Sequence, residues 1–376
     1  MNINPDSASA HRPWSAVYPQ VGIAPDLPAS THHNLAHFIH DHCTRWASDS
    51  QAKAAFTCVV PNGMNGSLSF AQVDALSDAF AGYLRGTLGL ARGDRVAVQL
   101  PNSLSYPVVA FGVLKAGCVL VNTNPLYTAR ELEHQLCDSG AEIIVILENF
   151  AHVLEEVIAR TPVRKVVVTS VGELLGFPKG SIVDFVVRRI RKAVPSWSLP
   201  GALRFGDVLA EGVALPYNPV ALSHADLAFL QYTGGTTGVS KGAMLSHGNM
   251  VANVLQSSAW IADTLPPGEH HTAITALPLY HIFALTANCI LFLRLGWTNV
   301  LITNPRDFPA FVKELKQHKF TYISGVNTLF NALLHTPGFE TVDFSHLRCT
   351  LGGGMAVQRA VAEHWKKVTG CILTQA

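Results

Sequence analysis

Residues 95–147 read RVAVQLPNSLSYPVVAFGVLKAGCVLVNTNPLYTARELEHQLCDSGAEIIVIL, and this stretch decides the fold. Arg95–Leu100 is a strand, Ser103–Ala116 a helix introduced by Pro101-Asn102, and Cys118–Asn122 a second strand. Thr128-Ala-Arg-Glu131 forms a capping box that opens a helix to about Ser139. Glu142–Leu147 is a third strand and Lys165–Thr169 a fourth. These strands are continuous β-branched runs, as expected of parallel strands covered on both faces. Strand–helix–strand succession predicts a doubly wound α/β sheet.

Outward from this stretch the chain divides into parts. Residues 1–28 hold five prolines and little periodicity, which predicts an extended leader. Residues 29–225 form a first α/β lobe, in which Phe70, Val73, Leu76, Phe80 and Leu84 follow Ser69 at helical period. A second lobe, 226–376, opens near Asp226 with a strand at Leu227–Tyr232 and a helix from about His247 to Trp260. Short strands follow at Thr272–Leu277, Val300–Thr303, Tyr322–Gly325 and Cys349–Leu351. Helices at Asp307–His318, Val326–Leu334 and Met355–Val368 lie between them. Residues 171–206 are an insert of another kind. Within 179–192, Lys179, Arg188, Arg189, Arg191 and Lys192 stand against Asp184, with Ile182, Phe185 and Ile190 on the apolar side. Such a helix suits an anionic membrane surface; it equally suits a solvated cap on the junction between two lobes.

Composition sets the outer limits. Of 376 residues 48% are apolar and 14% charged, against roughly 25% charged in an average soluble domain, which excludes a disordered chain, a collagen and a coiled coil. A net charge of +1 supplies no field for nucleic acid. Mean hydropathy is +0.24, yet no apolar run approaches the ~18 residues of a spanning helix. The seven cysteines are widely spaced without a CxxC, and the N-terminus lacks a basic start and apolar core, so the reading is of reduced thiols in a cytoplasmic protein. His33, His37 and His40 share one helical face at metal-ligand spacing within the His32–Cys43 cluster, but no second ligand cluster accompanies them. Helix-surface histidines are the expectation, with no metal.

The chemistry concentrates in Leu230–Gly242, LQYTGGTTGVSKG. Glycines let backbone N–H groups turn toward an anion, threonine hydroxyls add donors, and lysine adds a mobile positive charge. A nucleotide triphosphate requires those groups. Walker A is excluded, because Ser240 precedes Lys241 and Gly242 follows it. The dinucleotide fingerprint GxGxxG is absent. The plain alternative is a flexible hairpin, although hairpin loops seldom combine three Thr, three Gly and a Lys.

YTGGTTGVSKG resembles the phosphate-binding signature of the adenylate-forming superfamily. NPLYTARELEHQL, ALPLYHIFALTANC, LITNPRDFP, GVNTLFNALL and LGGGMAVQ are similar to bacterial long-chain fatty acid–CoA ligases in particular. The resemblance implies two α/β lobes in αβαβα layers and a two-step reaction. A fatty acid carboxylate attacks the α-phosphorus of ATP, with Mg²⁺, to give acyl-AMP; the thiol of coenzyme A then releases AMP. It further implies that Thr233, Gly234, Gly235, Thr236, Thr237, Gly238 and Lys241 hold the phosphates. Tyr280 and His281 would stand beside the carboxylate, and Gly325, Val326, Gly352, Gly353, Gly354 and Met355 along the acyl and adenine pockets. Lys241, His281 and Thr236 are the residues expected to act on the reaction. Phe283, Leu285, Val326, Leu329, Phe330 and Met355 offer an apolar acyl tunnel, or plain core.

The family pattern calls for a Tyr-Gly-x-Thr-Glu motif where this sequence reaches Gln375-Ala376, and for a lid domain after it. The expectation is therefore the N-terminal two-thirds of a ligase, with very little adenylation and no thioester formation alone. The alternative is a non-catalytic acyl- or nucleotide-binding remnant. An adenylation domain for amino or aryl acids has no segment here that outscores the fatty-acid match.

Overall fold

In the computed structural model the described residues are 17–375, apart from 22, 25, 28–29, 50–53, 61–62, 235–238 and 266–268. Most of the expected leader lies outside them. Within it, Tyr18–Val21 forms a 3-10 turn, and Tyr18 meets the Trp260 ring edge-on at 5.7 Å.

Among the described residues fourteen strands make two seven-stranded sheets. The first contains β3 (Arg95–Gln99), β4 (Val119–Asn122), β5 (Ile143–Leu147), β6 (Lys165–Thr169), β7 (Leu203–Arg204), β8 (Leu227–Thr233) and β9 (Lys241–Ser246), in the order β7-β6-β5-β3-β4-β8-β9. The second contains β1 (Phe56–Val59), β2 (Gly66–Leu68), β10 (Thr272–Thr275), β11 (Thr298–Ile302), β12 (Tyr322–Gly325), β13 (Cys349–Gly352) and β14 (Leu373–Gln375), in the order β14-β13-β12-β10-β11-β1-β2. All neighbours are parallel except β8–β9 and β1–β2, so each sheet has one antiparallel edge strand.

Helices α1 (Leu35–Ala47), α2 (Phe70–Gly86), α3 (Ser105–Lys115) and α8 (His247–Ile261) fill the middle layer. Helices α4 (Ala129–Ser139) and α5 (Ala151–Val157) cover the outer face of the first sheet. Helices α11 (Phe308–Leu315), α12 (Asn327–Leu334) and α13 (Arg359–Thr369) cover the second. The remaining helices are α6 (Lys179–Phe185), α7 (Phe205–Val213), α9 (Ile282–Ala284) and α10 (Leu291–Leu295). The result is the expected αβαβα stack. Strand β3 shares its side chains between two cores: Val96 and Val98 face the middle layer, while Ala97 faces the outer one. Every residue of α3 is buried.

Chain order and sheet order differ. The sequence reading opens a second unit with Leu227–Tyr232, yet β8 hydrogen-bonds to β4 in the first sheet. It is buried on both sides there, with Phe229 in the middle core and Leu230 in the outer one. Conversely β1, early in the chain, pairs with β11. Other expectations are trimmed. The strand from Thr272 ends at Thr275, and the helix expected from Met355 begins at Arg359 after a turn through Gly354, whose φ is +78°. The basic helix ends at Phe185 and continues to Ile190 as a π-helical turn.

Candidate active site

The segment expected to bind phosphate has paired strands on either side of residues 235–238. Strand β9, which the sequence reading missed, returns antiparallel to β8 with Thr233 opposite Lys241. The hairpin and the phosphate readings are therefore compatible. Gly235, Thr236, Thr237 and Gly238 lie outside the described residues. Helix α4 braces both arms of the hairpin. The Tyr232 hydroxyl donates to Asp138 Oδ2 at 2.5 Å, and His134 Nε2 lies 3.0 Å from the Ser240 carbonyl. The capping box predicted at Thr128–Glu131 starts that helix and so sets the brace. Beside the hairpin opens a polar cleft of about 870 Å³, lined by Thr233, Gly234, Ser240, Arg130, Tyr280 and His281 among others.

His281 caps α9, with its Nδ1 accepting from the Phe283 N–H at 3.4 Å. That bond leaves the proton on Nε2, which makes the neutral ring a donor toward an anion. Partial burial holds His281 below the usual imidazole range, so at neutral pH it is that neutral donor. Burial likewise raises the Tyr280 hydroxyl.

The next two residues belong to a different space. Ile282 and Phe283 line an apolar cavity of about 830 Å³, whose other walls include Met250, Trp260, Ile261 and Leu291. Of the six residues offered for an acyl tunnel, Phe283 lines this cavity. Leu285, Leu329 and Phe330 are buried core, Val326 packs against it, and Met355 is exposed. Helix-spaced apolar residues look alike in sequence whether they line a cavity or fill a core, and α8 carried no signal that marked Trp260. The glycines after β13 answer to packing. A Cβ on Gly353 would lie 2.7 Å from Phe283 Cζ, and one on Gly352 2.7 Å from Val357 Cγ2. Gly325 is similarly filled by Phe330 and Leu329. The Cβ side of these glycines is thus occupied by side chains.

The histidine cluster does not gather as its spacing predicts. Helix α1 begins at Leu35, so His33 precedes it and stacks on His37 at 6.3 Å. His37 pairs with Asp41 and His40 with Asp74. His40, Asp74 and Asp78 approach one another, but the Lys115 ammonium already lies 2.6 Å from both carboxylates. The charge a cation would bring is supplied by the chain.

Residues 43–376 match the family described as AMP-binding enzyme. The chain belongs to that family. It is 49% identical over 362 residues to a long-chain-fatty-acid–CoA ligase of Salmonella typhimurium, covering 96% of this chain and 63% of the relative. A ligase of the same description from Escherichia coli O157:H7 is 55% identical over 308 residues, covering 82% and 55%. The chain thus spans 55–63% of the length of these curated relatives. Among solved structures, an anthranilate CoA ligase holding anthranoyl-AMP superposes with a TM-score of 0.74 at 21% identity, covering 92% of this chain and 60% of that one. A long-chain-fatty-acid-CoA ligase from Archaeoglobus fulgidus gives 0.71 at 23%, covering 90% and 62%. These likenesses establish the AMP-binding fold. No helix among the described residues is long and apolar enough to cross a membrane.

Proposed function

We propose that this chain carries the adenylate-forming site of a long-chain fatty acid–CoA ligase, using ATP and a fatty acid, with coenzyme A as the later acceptor. One observation carries the reading. Residues 280–281 line the polar cleft beside the phosphate hairpin, and residues 282–283 line the apolar cavity. A fatty acid with its tail in that cavity has its carboxylate at His281, at the edge of the cleft where a triphosphate would lie. The carboxylate oxygen attacks the α-phosphorus, and pyrophosphate leaves. Such a step needs alignment and charge neutralisation more than a protein nucleophile. His281 donates from Nε2 to an anionic oxygen, Lys241 neutralises phosphate charge, and Thr233, Thr236, Thr237 and the loop glycines cradle the phosphates. Gly325, Val326, Gly352–Gly354 and Met355 border the acyl and adenine ends.

Magnesium fits these residues poorly. The carboxylate among the described cleft residues is Glu131, and its Oε2 is taken by the Thr128 N–H and hydroxyl.

The test is binding of a non-hydrolysable palmitoyl-AMP analogue by calorimetry. His281→Ala is expected to weaken it roughly tenfold to a hundredfold, the worth of one hydrogen bond to a charged group. An analogue held no tighter than AMP would remove the acyl reading. The rival, a remnant that binds without turnover, is separated by ATP–pyrophosphate exchange with palmitate, using Lys241→Ala as the blank.

Residues 179–192 are proposed to rest on an anionic membrane surface. Phe177 is 92% exposed, Phe185 and Ile190 are exposed, and Arg189, Arg191 and Lys192 lie beside them. Arg188 is spent on Glu148. The chain should sediment with phosphatidylserine-containing vesicles and not with phosphatidylcholine ones. Phe185→Ser with Ile190→Ser should abolish this; unchanged sedimentation would refute it.

A further inference from the structure

We propose that Asn102 is a positioning residue: from the first sheet it fixes the 275–281 turn of the second, and so sets where His281 meets its ligand, with Gln231 as a second hold. The proposal rests on the reading of His281 as an active-site residue.

Asn102 follows β3 and is 4% exposed. Its Nδ2 donates to the carbonyls of Thr275 at 3.1 Å, Leu277 at 3.0 Å and Ile302 at 3.4 Å. Its Oδ1 accepts from the Leu279 N–H at 2.9 Å. These groups lie where β10 and β11 end and the parallel ladder supplies no further partners. Buried backbone groups without partners are costly, so a side chain must satisfy them. Only an amide presents donor and acceptor together at this reach; aspartate would set a carboxylate against three carbonyls.

The second hold comes from β8. Gln231 Nε2 donates to the Tyr280 carbonyl at 3.2 Å, and its Oε1 accepts from Asn122 Nδ2 at 3.1 Å. Asn122 is fixed in turn, its Oδ1 accepting from the Tyr106 hydroxyl at 2.8 Å and its carbonyl from Gln135 Nε2 at 2.8 Å. The turn itself contributes a backbone bond from the His281 N–H to the Pro278 carbonyl at 3.0 Å. Residues 275–280 are therefore held at four backbone atoms by side chains of the other sheet. A loop so gripped inherits the position of the first sheet, which also carries the phosphate hairpin. The two halves of the site are thereby kept in one frame, the condition for aligned attack.

The test follows the His281 ring by NMR in the whole chain with labelled histidine, its signal identified by loss in His281→Gln. In Asn102→Ala the His281 midpoint is expected to rise toward the ordinary imidazole value as the turn loosens, and in Gln231→Ala to rise less. Affinity for the palmitoyl-AMP analogue should fall about tenfold in Asn102→Ala, with no further loss when His281→Gln is already present. Thr350→Val, in β13 and away from the turn, is the control for general loosening: it removes the hydroxyl that accepts the buried bond from Trp365 Nε1 of α13. It should lower stability and leave His281 unmoved. An unchanged His281 midpoint in Asn102→Ala, or an equal shift in Thr350→Val, overturns the hold. If Asn102→Ala does not fold, Gln231→Ala carries the same decision at the Tyr280 carbonyl. A His281 signal that ignores the analogue in the unsubstituted chain overturns the link to the reaction, while the midpoints still decide the hold.

Discussion

Replacing Lys115 by methionine is expected to cost the fold about 3–5 kcal/mol, the loss found when one partner of a buried ion pair is removed. The ammonium is fully buried at the end of α3, 2.6 Å from Asp74 Oδ1 and 2.6 Å from Asp78 Oδ1. It also donates to the Asp74 carbonyl at 3.2 Å. A cation suits the C-terminal end of a helix. Both carboxylates come from α2, and His40 of α1 closes on Asp74, so one charge ties three helices of the middle layer. Burial raises the Asp78 carboxyl even with Lys115 beside it, a sign that the site tolerates a bare carboxylate badly. Methionine keeps the volume and removes the charge, so the loss is electrostatic. Urea unfolding should show most of it returning when Asp74→Asn and Asp78→Asn are added. A loss under about 1 kcal/mol would mean that water reaches the pair, and the assignment would fail.

Stability should fall steeply as pH drops below about 6.5. His42 is buried in α1 with no partner for either ring nitrogen among the described residues, and its pKa is held at about 3. The main cause is burial, with Arg294, His32 and Arg45 adding repulsion. His247 is buried at the start of α8, its Nδ1 accepting from the Leu35 N–H, and burial lowers it to about 4. Unfolded, both rings take up protons near 6.5; folded, they resist until the lower values. Between these limits the unfolded chain binds more protons, so acid favours it. Each ring contributes up to about 1.4 kcal/mol per pH unit. His42→Phe should lower the slope between pH 6 and 5 in urea titrations by up to about 1.4 kcal/mol per pH unit. An unchanged slope would show that His42 is hydrated and titrates normally.

What the sequence discloses depends on range. Arg95–Leu147 announces its elements because each strand is buried by side chains within it. The capping box at Thr128 is readable for the same reason: its two partners lie three residues apart. The partner of β8 is not readable, because Phe229 and Leu230 would satisfy either sheet. Asn102 is silent in sequence, since its partners lie 173–200 residues away. The candidate phosphate segment is legible as chemistry, through its glycines, threonines and lysine, while its return strand Lys241–Ser246 hides behind mostly exposed or half-exposed residues. The cavity beside Phe283 is likewise invisible, because a cavity is the absence of a contact that no residue records.

The crossing of strands between sheets has a consequence for synthesis. Thr57 of β1 stands opposite Val300 of β11. At roughly 5–20 residues per second, a nascent chain waits on the order of 12–50 s between making the first and offering the second. Through that interval the β1 edge that will pair with β11 has no neighbour. The first sheet can close as soon as β9 emerges, and that edge must stay out of it. The short length of β1 and β2, four and three residues, limits how firmly that edge can capture a wrong strand while it waits.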